Sequence, residues 1–502
     1  MTTLYQDDLT QTASATRSDR FHIRSTTTRF LSMVFCALIL RVVVVAFSFL
    51  RIAAPSHDHG QFGAEMGWVA RSLASGHGFS SPFLPMSGPT ALVPPLFPAL
   101  LAIVFRIFGI YTAKSAFAIL AIDSIFSALT CIPIYFSLKH VAGERPARLA
   151  GWLWAIYPFA IYFSGAEVWD YALTSFLFAN CFSFAQRLHL QERFAVWFGF
   201  GALFGVTALS NPSVLSLFPF LLAAALWKVR RVGGRWLLRG IVTVVALATV
   251  VGPWAIRNDR VMHAASPVRD GFWLEFWAGN SGDTTTSNPA WAHPASNAVE
   301  MNAFEAEGET LYLEHKHILA TSFLRHHPLL FASVSLRRVV RFWTGFWSAR
   351  SSYLQSEPLD RPNVFFCTFV TLLMLRGIGR WWREDRGHAI PYLFLLIVFP
   401  LPYYLTHSSM DYREPIEPQI VIMVAIGIVG FSGWVPLSKL QTRDTAELRQ
   451  HEPQMAYRVI GEPISARRCL GARAEPNRWR LRGTSEFTRS SLARRPYPTT
   501  ET

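Results

Sequence analysis

Val-Pro-Pro-Leu-Phe-Pro-Ala-Leu-Leu-Ala-Ile-Val-Phe-Arg-Ile-Phe, residues 93–108, is the stretch whose placement decides the fold. It is apolar, yet shorter than the roughly 20 apolar residues that a membrane-crossing helix needs. Pro94, Pro95 and Pro98 crowd its start, where fixed φ and missing N–H groups restrict the first turn. If this stretch crosses a bilayer, every later loop changes side. If it lies at the outer interface, the later loops keep one consistent orientation.

The basic residues choose between the two. Lys139, Arg145 and Arg148 share one loop, and Arg187 and Arg193 another. Lys228, Arg230, Arg231, Arg235 and Arg239 fill a third, and Arg376, Arg380, Arg383 and Arg386 a fourth. Cytoplasmic loops carry the excess of Lys and Arg. All four then lie on the side of the N-terminus, with its Arg17, Arg20, Arg24 and Arg29, only if 93–108 does not cross.

The chain has 502 residues, 51% hydrophobic and 16% charged, which is too apolar for a soluble protein of this size. The formal charge of +14 is read as cytoplasmic loops, not as a nucleic-acid surface. Helices are expected at 30–52, 113–138, 147–164, 170–188, 194–209, 211–228, 236–255, 362–378, 389–406 and 416–437. The fold class is an all-α polytopic membrane protein, a bundle of about ten transmembrane helices with surface helices on its outer face. Residues 1–29 form a cytoplasmic segment, 30–437 the membrane domain and 438–502 a basic, disordered cytoplasmic tail with twelve arginines. The run from Phe30 is too long for a signal-peptide core and is expected to be retained as a signal anchor. Loops 53–112 and 256–361 face outside; the second is long enough to hold a cap of surface helices. Within it, 335–347 reads as an amphipathic interfacial helix. Both termini are cytoplasmic, in a bacterial-type inner membrane. Cys36, Cys131, Cys181 and Cys367 lie in apolar runs and Cys469 in the tail, with no disulfide or metal spacing.

Charge at a membrane edge is costly and marks function. The outer face collects Asp58 and Glu65 in the first loop, Glu167 and Asp170 in the second, Arg257 after the seventh helix, and Asp411, Arg413 and Glu414 before the last. A carboxylate near a low-dielectric surface suits a general base, and the arginine fork suits phosphate. Asp170 begins a helix, where an N-cap is the plainer role. His57, His59 and His77 match no closed metal site, so no metal ligand is assigned; a divalent metal is left open, and no other cofactor is expected. Arg41 and Asp123 fall mid-span and are expected to face the interior, and each other.

Several motifs follow one another along 30–437: Phe62-Gly-Ala-Glu-Met-Gly67, Ala70-Arg-Ser-Leu-Ala-Ser-Gly-His-Gly-Phe79, Pro94-Pro-Leu-Phe-Pro98, Trp169-Asp170, Ser210-Asn-Pro-Ser213, Pro253-Trp-Ala-Ile-Arg-Asn258 and Tyr412-Arg-Glu-Pro-Ile416. In order and placement the set resembles the GT-C superfamily of polyprenyl-phosphate-sugar-dependent glycosyltransferases. It is most similar to the family-39 branch, which includes protein O-mannosyltransferases and lipid A aminoarabinose transferases. The resemblance implies surface helices in the first outer loop and inverting sugar transfer from a lipid phosphate to an acceptor hydroxyl outside. It also implies an acidic residue in that loop, often in an Asp-Glu pair. Here the pair is Ala64-Glu65, so Glu65 serves, or Asp58 substitutes; the second acid maps to Asp170.

Glu65 is therefore expected to accept the hydroxyl proton, with Asp170 orienting the acceptor and Arg257 and Arg413 neutralising the lipid phosphate. The expected partners are a polyprenyl-phosphate sugar, an acceptor on lipid, glycan or protein, and membrane lipids, with no nucleic acid. The rival class is a transporter or flippase of a lipid-linked substrate. Such proteins often show two related halves, and no internal repeat is visible here.

Overall fold

The computed structural model describes residues 30–430, except 57, 84–85, 264–265, 282–289 and 357. The N-terminal segment, the tail with Cys469 and His57 lie outside the described residues. All regular elements among the described residues are helical, apart from a bridge pairing Ser80 with Pro89. Six helices are long and apolar enough to cross a membrane: Phe30–Ile52, Ala113–Lys139, Pro212–Arg231, Trp236–Met262, Asp360–Glu384 and Arg386–Leu405. The polytopic all-α reading therefore holds.

The remaining expected spans take a different form. Residues 147–164 divide into Glu144–Ala155 and Pro158–Gly165, because Pro158 cannot continue the first helix. Tyr171–Leu188 carries a buried polar stripe that includes Thr174 and Ser175. Phe194–Ser210 is apolar but short. Glu417–Val429 is buried along nearly its whole described length. Helices shielded by neighbours need no continuous apolar face, and glycines let them approach closely. A Cβ on Gly201 would strike the Thr243 carbonyl, one on Gly377 the Met423 carbonyl, and one on Gly427 the Leu373 carbonyl.

The decisive stretch forms the helix Leu96–Phe108, starting after Pro94 and Pro95. Its 13 residues span about 20 Å at 1.5 Å each, short of a hydrocarbon core of about 30 Å. It packs on the first-loop helix Ala64–Ala74, and Arg106 Nη2 donates to the Leu73 carbonyl at 2.9 Å. The next helix begins with a reciprocal cap. Thr112 Oγ1 accepts from Ser115 N at 3.1 Å, and Ser115 Oγ accepts from Thr112 N at 3.0 Å.

Residues 256–361 are largely helical. Trp236–Met262 runs on past 255, so Arg257 and Asn258 lie within its last turns. Then come Phe272–Asn280, Ala298–Glu307, Glu309–His326, Pro328–Thr344 and Ser351–Ser356. The helix Pro328–Thr344 exposes Leu329, Leu336 and Val340 along one side and buries Val334 and Phe342 along the other, together with Arg338 and Arg341. Carbonyls and a carboxylate within the protein hold the two buried arginines. Arg338 donates to Asn280 Oδ1 at 2.9 Å and to the Leu405 carbonyl at 3.1 Å, and Arg341 pairs with Asp360 at 3.3 Å.

Arg41 and Asp123 are both buried, as expected, but not against each other. Arg41 donates to Ser127 Oγ at 2.8 Å and to the carbonyls of Ala37, Ala155 and Trp154 at 2.9, 3.0 and 3.2 Å. The break after Ala155 leaves the Ala155 carbonyl without a backbone partner among the described residues, and the carbonyls there take the guanidinium in place of the carboxylate. Among the described residues, no donor reaches either oxygen of Asp123.

Candidate functional site

The first loop is shaped by left-handed backbone. His59, Gly63 and Ala64 have φ of 54°, 95° and 45°. Side chains rarely adopt this region, and strained backbone collects at functional sites. Gly63 also permits a close approach, since a Cβ there would lie 2.7 Å from the Val168 carbonyl. That contact sets the start of the Glu65 helix against the second loop, two residues before Asp170. Glu65, half-buried, faces His293 Nε2 at 3.7 Å. Asp58 is exposed. Its carboxylate accepts from Gly60 N at 3.0 Å and its carbonyl from Trp68 Nε1 at 2.6 Å, so it shapes the turn.

Asp170 occupies the N-cap position without capping the backbone. Its buried carboxylate accepts from Thr174 Oγ1 at 2.8 Å and Asn211 Nδ2 at 3.3 Å, and Thr174 Oγ1 meets Ser210 Oγ at 2.7 Å. The break Ser210-Asn211-Pro212 thus brings Asn211 to this acid directly and Ser210 to it through Thr174.

Arg269 joins the second loop to the late loops. Its charge acts on Asp170, Tyr403 and Tyr412. Its Nη2 lies 3.2 Å from Glu275 Oε1. Gly271 leaves room for it, as a Cβ there would lie 2.9 Å from that nitrogen. Glu275 Oε2 faces His407 Nδ1 at 3.3 Å, and His407 Nε2 meets Tyr412 OH at 2.5 Å. Tyr412 stacks on Tyr403, whose OH donates to Ser213 Oγ at 2.9 Å. Asp411 accepts from Tyr171 OH. Burial pushes the Glu275 carboxyl up, but His407, Arg269 and His293 outweigh it and hold the group below its ordinary range. Burial lowers His407 despite the nearby Glu275. His293 acts on both, which ties Glu65 into the same cluster.

The two arginines expected at the phosphate have other partners. Arg257 donates to the Thr90 and Phe79 carbonyls at 2.6 and 2.8 Å and to Asn258 Oδ1 at 3.0 Å. It clasps the two ends of the Phe79–Thr90 segment of the first loop. Arg413 is buried and pairs with Glu417 at 2.6 Å, and also donates to the Trp343 carbonyl at 3.2 Å. Arg269, Glu275, His293 and His407 were missed by the sequence reading, which named Tyr412 only as part of the 412–416 motif. Arg269-Asp270-Gly271 carries an Asp-Gly turn signal, but nothing in its spacing joins it to residues 407–412. Among the described residues no group of three or more His, Cys, Asp or Glu is placed to hold a metal ion.

Residues 92–254, about a third of the chain, match the family described as dolichyl-phosphate-mannose-protein mannosyltransferase. The match includes Asp170 and Asn211 and bears out the resemblance to GT-C glycosyltransferases. No curated protein sequence matches the chain. Among solved structures, the chain is similar to the archaeal oligosaccharyltransferase AglB from Archaeoglobus fulgidus, in complex with an inhibitory peptide and a dolichol-phosphate. Identity is 14%, coverage 87% of this chain and 52% of that one, and the TM-score 0.45. It is also similar to ArnT from Cupriavidus metallidurans bound to undecaprenyl phosphate, with 13% identity, 77% of each chain covered and a TM-score of 0.35. The chain spans about half the length of the archaeal oligosaccharyltransferase.

Proposed function

We propose that this chain is an integral-membrane glycosyltransferase that moves a sugar from a polyprenyl phosphate to an acceptor hydroxyl, with inversion. The observation that carries this reading is the convergence of Glu65, Asp170 and Arg269, from three separate loops, on one polar cluster. The acceptor oxygen forms a bond to the anomeric carbon, and the bond from that carbon to the phosphate oxygen breaks. The electron pair leaves on the phosphate, and the hydroxyl proton passes to Glu65. Asp170, held by Thr174 and Asn211, orients the acceptor. Arg269, partly exposed and bound to Glu275 alone among ion-pair partners, neutralises the leaving phosphate. That role moves to Arg269 from Arg257 and Arg413, which serve as anchors of the first loop and the bundle. Asp58 holds the turn that presents Glu65.

In this reading 30–437 is the catalytic membrane domain. Leu96–Phe108 lies in the outer interface, and both termini are cytoplasmic in a bacterial-type inner membrane. Reporter fusions after residues 145 and 232 test that orientation, and an outside location for either overturns it. The chemistry is tested by sugar release from a polyprenyl-phosphate sugar in detergent. Glu65→Gln abolishes transfer with normal expression, and wild-type turnover in that variant removes Glu65 as the base. Arg269→Ala raises the donor KM, whereas Arg257→Ala lowers the yield of folded protein.

A further inference from the structure

Next to Arg269 two acids meet in a setting that leaves three of their four carboxyl oxygens without a donor among the described residues. Ala91, at the end of the first-loop hairpin, is held at both polar groups by the late loop. Its N–H donates to Glu309 Oε1 at 2.6 Å, and its carbonyl accepts from Asp270 N at 3.1 Å. Glu309 is 4% exposed. Its second oxygen, and both oxygens of Asp270, have no other hydrogen-bond donor, and the two carboxyl groups are in contact with each other. Two bare carboxylates in contact repel; one proton between them turns the contact into a hydrogen bond.

The charges around the pair come from three sides. Arg257 faces it from the helix Trp236–Met262, and Arg269 adjoins it in the chain. The hairpin contributes only the Ala91 N–H and the Thr90 hydroxyl. With one proton in the pair, these four groups carry a net charge of about +1; without it they carry none. Resting on the assignment of Arg269 to the donor phosphate, we propose that Glu309 is a positioning residue. The proton it shares with Asp270 keeps a second negative charge from competing for Arg269.

Burial and then the charge of Asp270 push the Glu309 carboxyl up to about 8. Burial also raises Asp270, against the pull of Arg269. The pair therefore holds one shared proton at neutral pH and loses it on alkalinisation. The competition should appear there and nowhere lower.

The test is binding of decaprenyl phosphate to the full-length protein in detergent from pH 7 to 9.5. The second proton of the phosphate is lost near pH 6, so the probe does not itself titrate in this window. Wild-type affinity is expected to fall about tenfold through pH 8, the effect of one charge at moderate distance. Glu309→Gln, which keeps an oxygen for the Ala91 N–H, should give a flat profile. Asp270→Asn, which removes the other half of the pair, should do the same. A wild-type profile with no fall, or a Glu309→Gln profile that falls as wild type does, overturns this role. Absence of decaprenyl phosphate binding at every pH instead overturns the assignment of the donor.

Discussion

Replacing Arg413 with Met tests whether this arginine serves the donor or the fold. Arg413 and Glu417 stand one helical turn apart, each with a side chain 1% exposed. Arg413 Nε and Nη2 both lie 2.6 Å from Glu417 Oε1. Glu417 Oε2 accepts from Tyr157 OH at 2.7 Å, and Arg413 Nη1 reaches the Trp343 carbonyl at 3.2 Å. Removing the arginine leaves a buried carboxylate with one hydroxyl partner, and breaking such a pair costs about 3–5 kcal/mol. Glu417→Gln alone leaves the guanidinium with carbonyls only and costs a similar amount. Removing both charges eliminates the orphan, so the double variant should be no less stable than either single one. The coupling energy is then about 3 kcal/mol or more. The assay is reversible unfolding of the full chain in mixed micelles titrated with SDS, carried through all four members of the cycle. Donor KM in the surviving folded fraction should stay within about twofold of wild type, because the pair lies inside the bundle. A stable Arg413→Met variant that loses only donor affinity would refute this reasoning. So would a double variant whose cost equals the sum of the singles.

Asp123→Asn should be neutral or stabilising, because it removes a buried carboxylate that has no donor, whereas Arg41→Leu should cost about 3 kcal/mol or more. Their cycle should show coupling below about 0.5 kcal/mol, and a larger value would mean that the two groups do interact. Stability should also fall as pH rises from the ordinary carboxyl range toward about 8, the raised value of Glu309. There the folded chain binds more protons than the unfolded one, so each step upward in pH favours unfolding. Melting curves across pH 5–9 check this, and Glu309→Gln should reduce the slope. Gly377→Ala should destabilise by about 1–3 kcal/mol, since its Cβ meets the Met423 carbonyl. Gly379→Ala, with open space around its Cβ, should be neutral. Equal effects in SDS titrations would argue against close packing of Asp360–Glu384 on Glu417–Val429.

Helix positions were legible in the sequence because the lipid-facing helices must be apolar over a fixed length. Phe30–Ile52 matches the expected bounds, and Trp236–Met262 and Arg386–Leu405 differ by a few residues. The inner stretch 147–164 was expected as one span, and its break at Pro158 was not foreseen. Glu65 and Asp170 were legible as candidates because acids stand out in an apolar chain. Their surroundings were not, since His293, Arg269 and His407 come from loops far apart in sequence. Hydrophobic periodicity carries no information about which loops meet.

The arginines show why a residue for the lipid phosphate is hard to choose from sequence alone. A guanidinium fork suits phosphate, but it also suits peptide carbonyls left free where a helix ends. Arg338 takes the carbonyls of Gly279 and Leu405 at the ends of two helices, and Arg41 those of Trp154 and Ala155 at the end of a third. Arg257 takes Thr90 and Phe79 in the first-loop hairpin. In each case a chain break in an apolar setting needs donors, and an arginine delivers several at once. Arg269 differs because its ion-pair partner is Glu275, a side chain already drawn toward His407. A carboxylate side chain that has a second partner can swing aside for an incoming phosphate, whereas backbone carbonyls held in place by their own helices and turns cannot. On the proposed reading, what separates a ligand arginine from a structural one in this chain is whether its partner can move to an alternative. That property belongs to the folded cluster, and no motif around residue 269 encodes it.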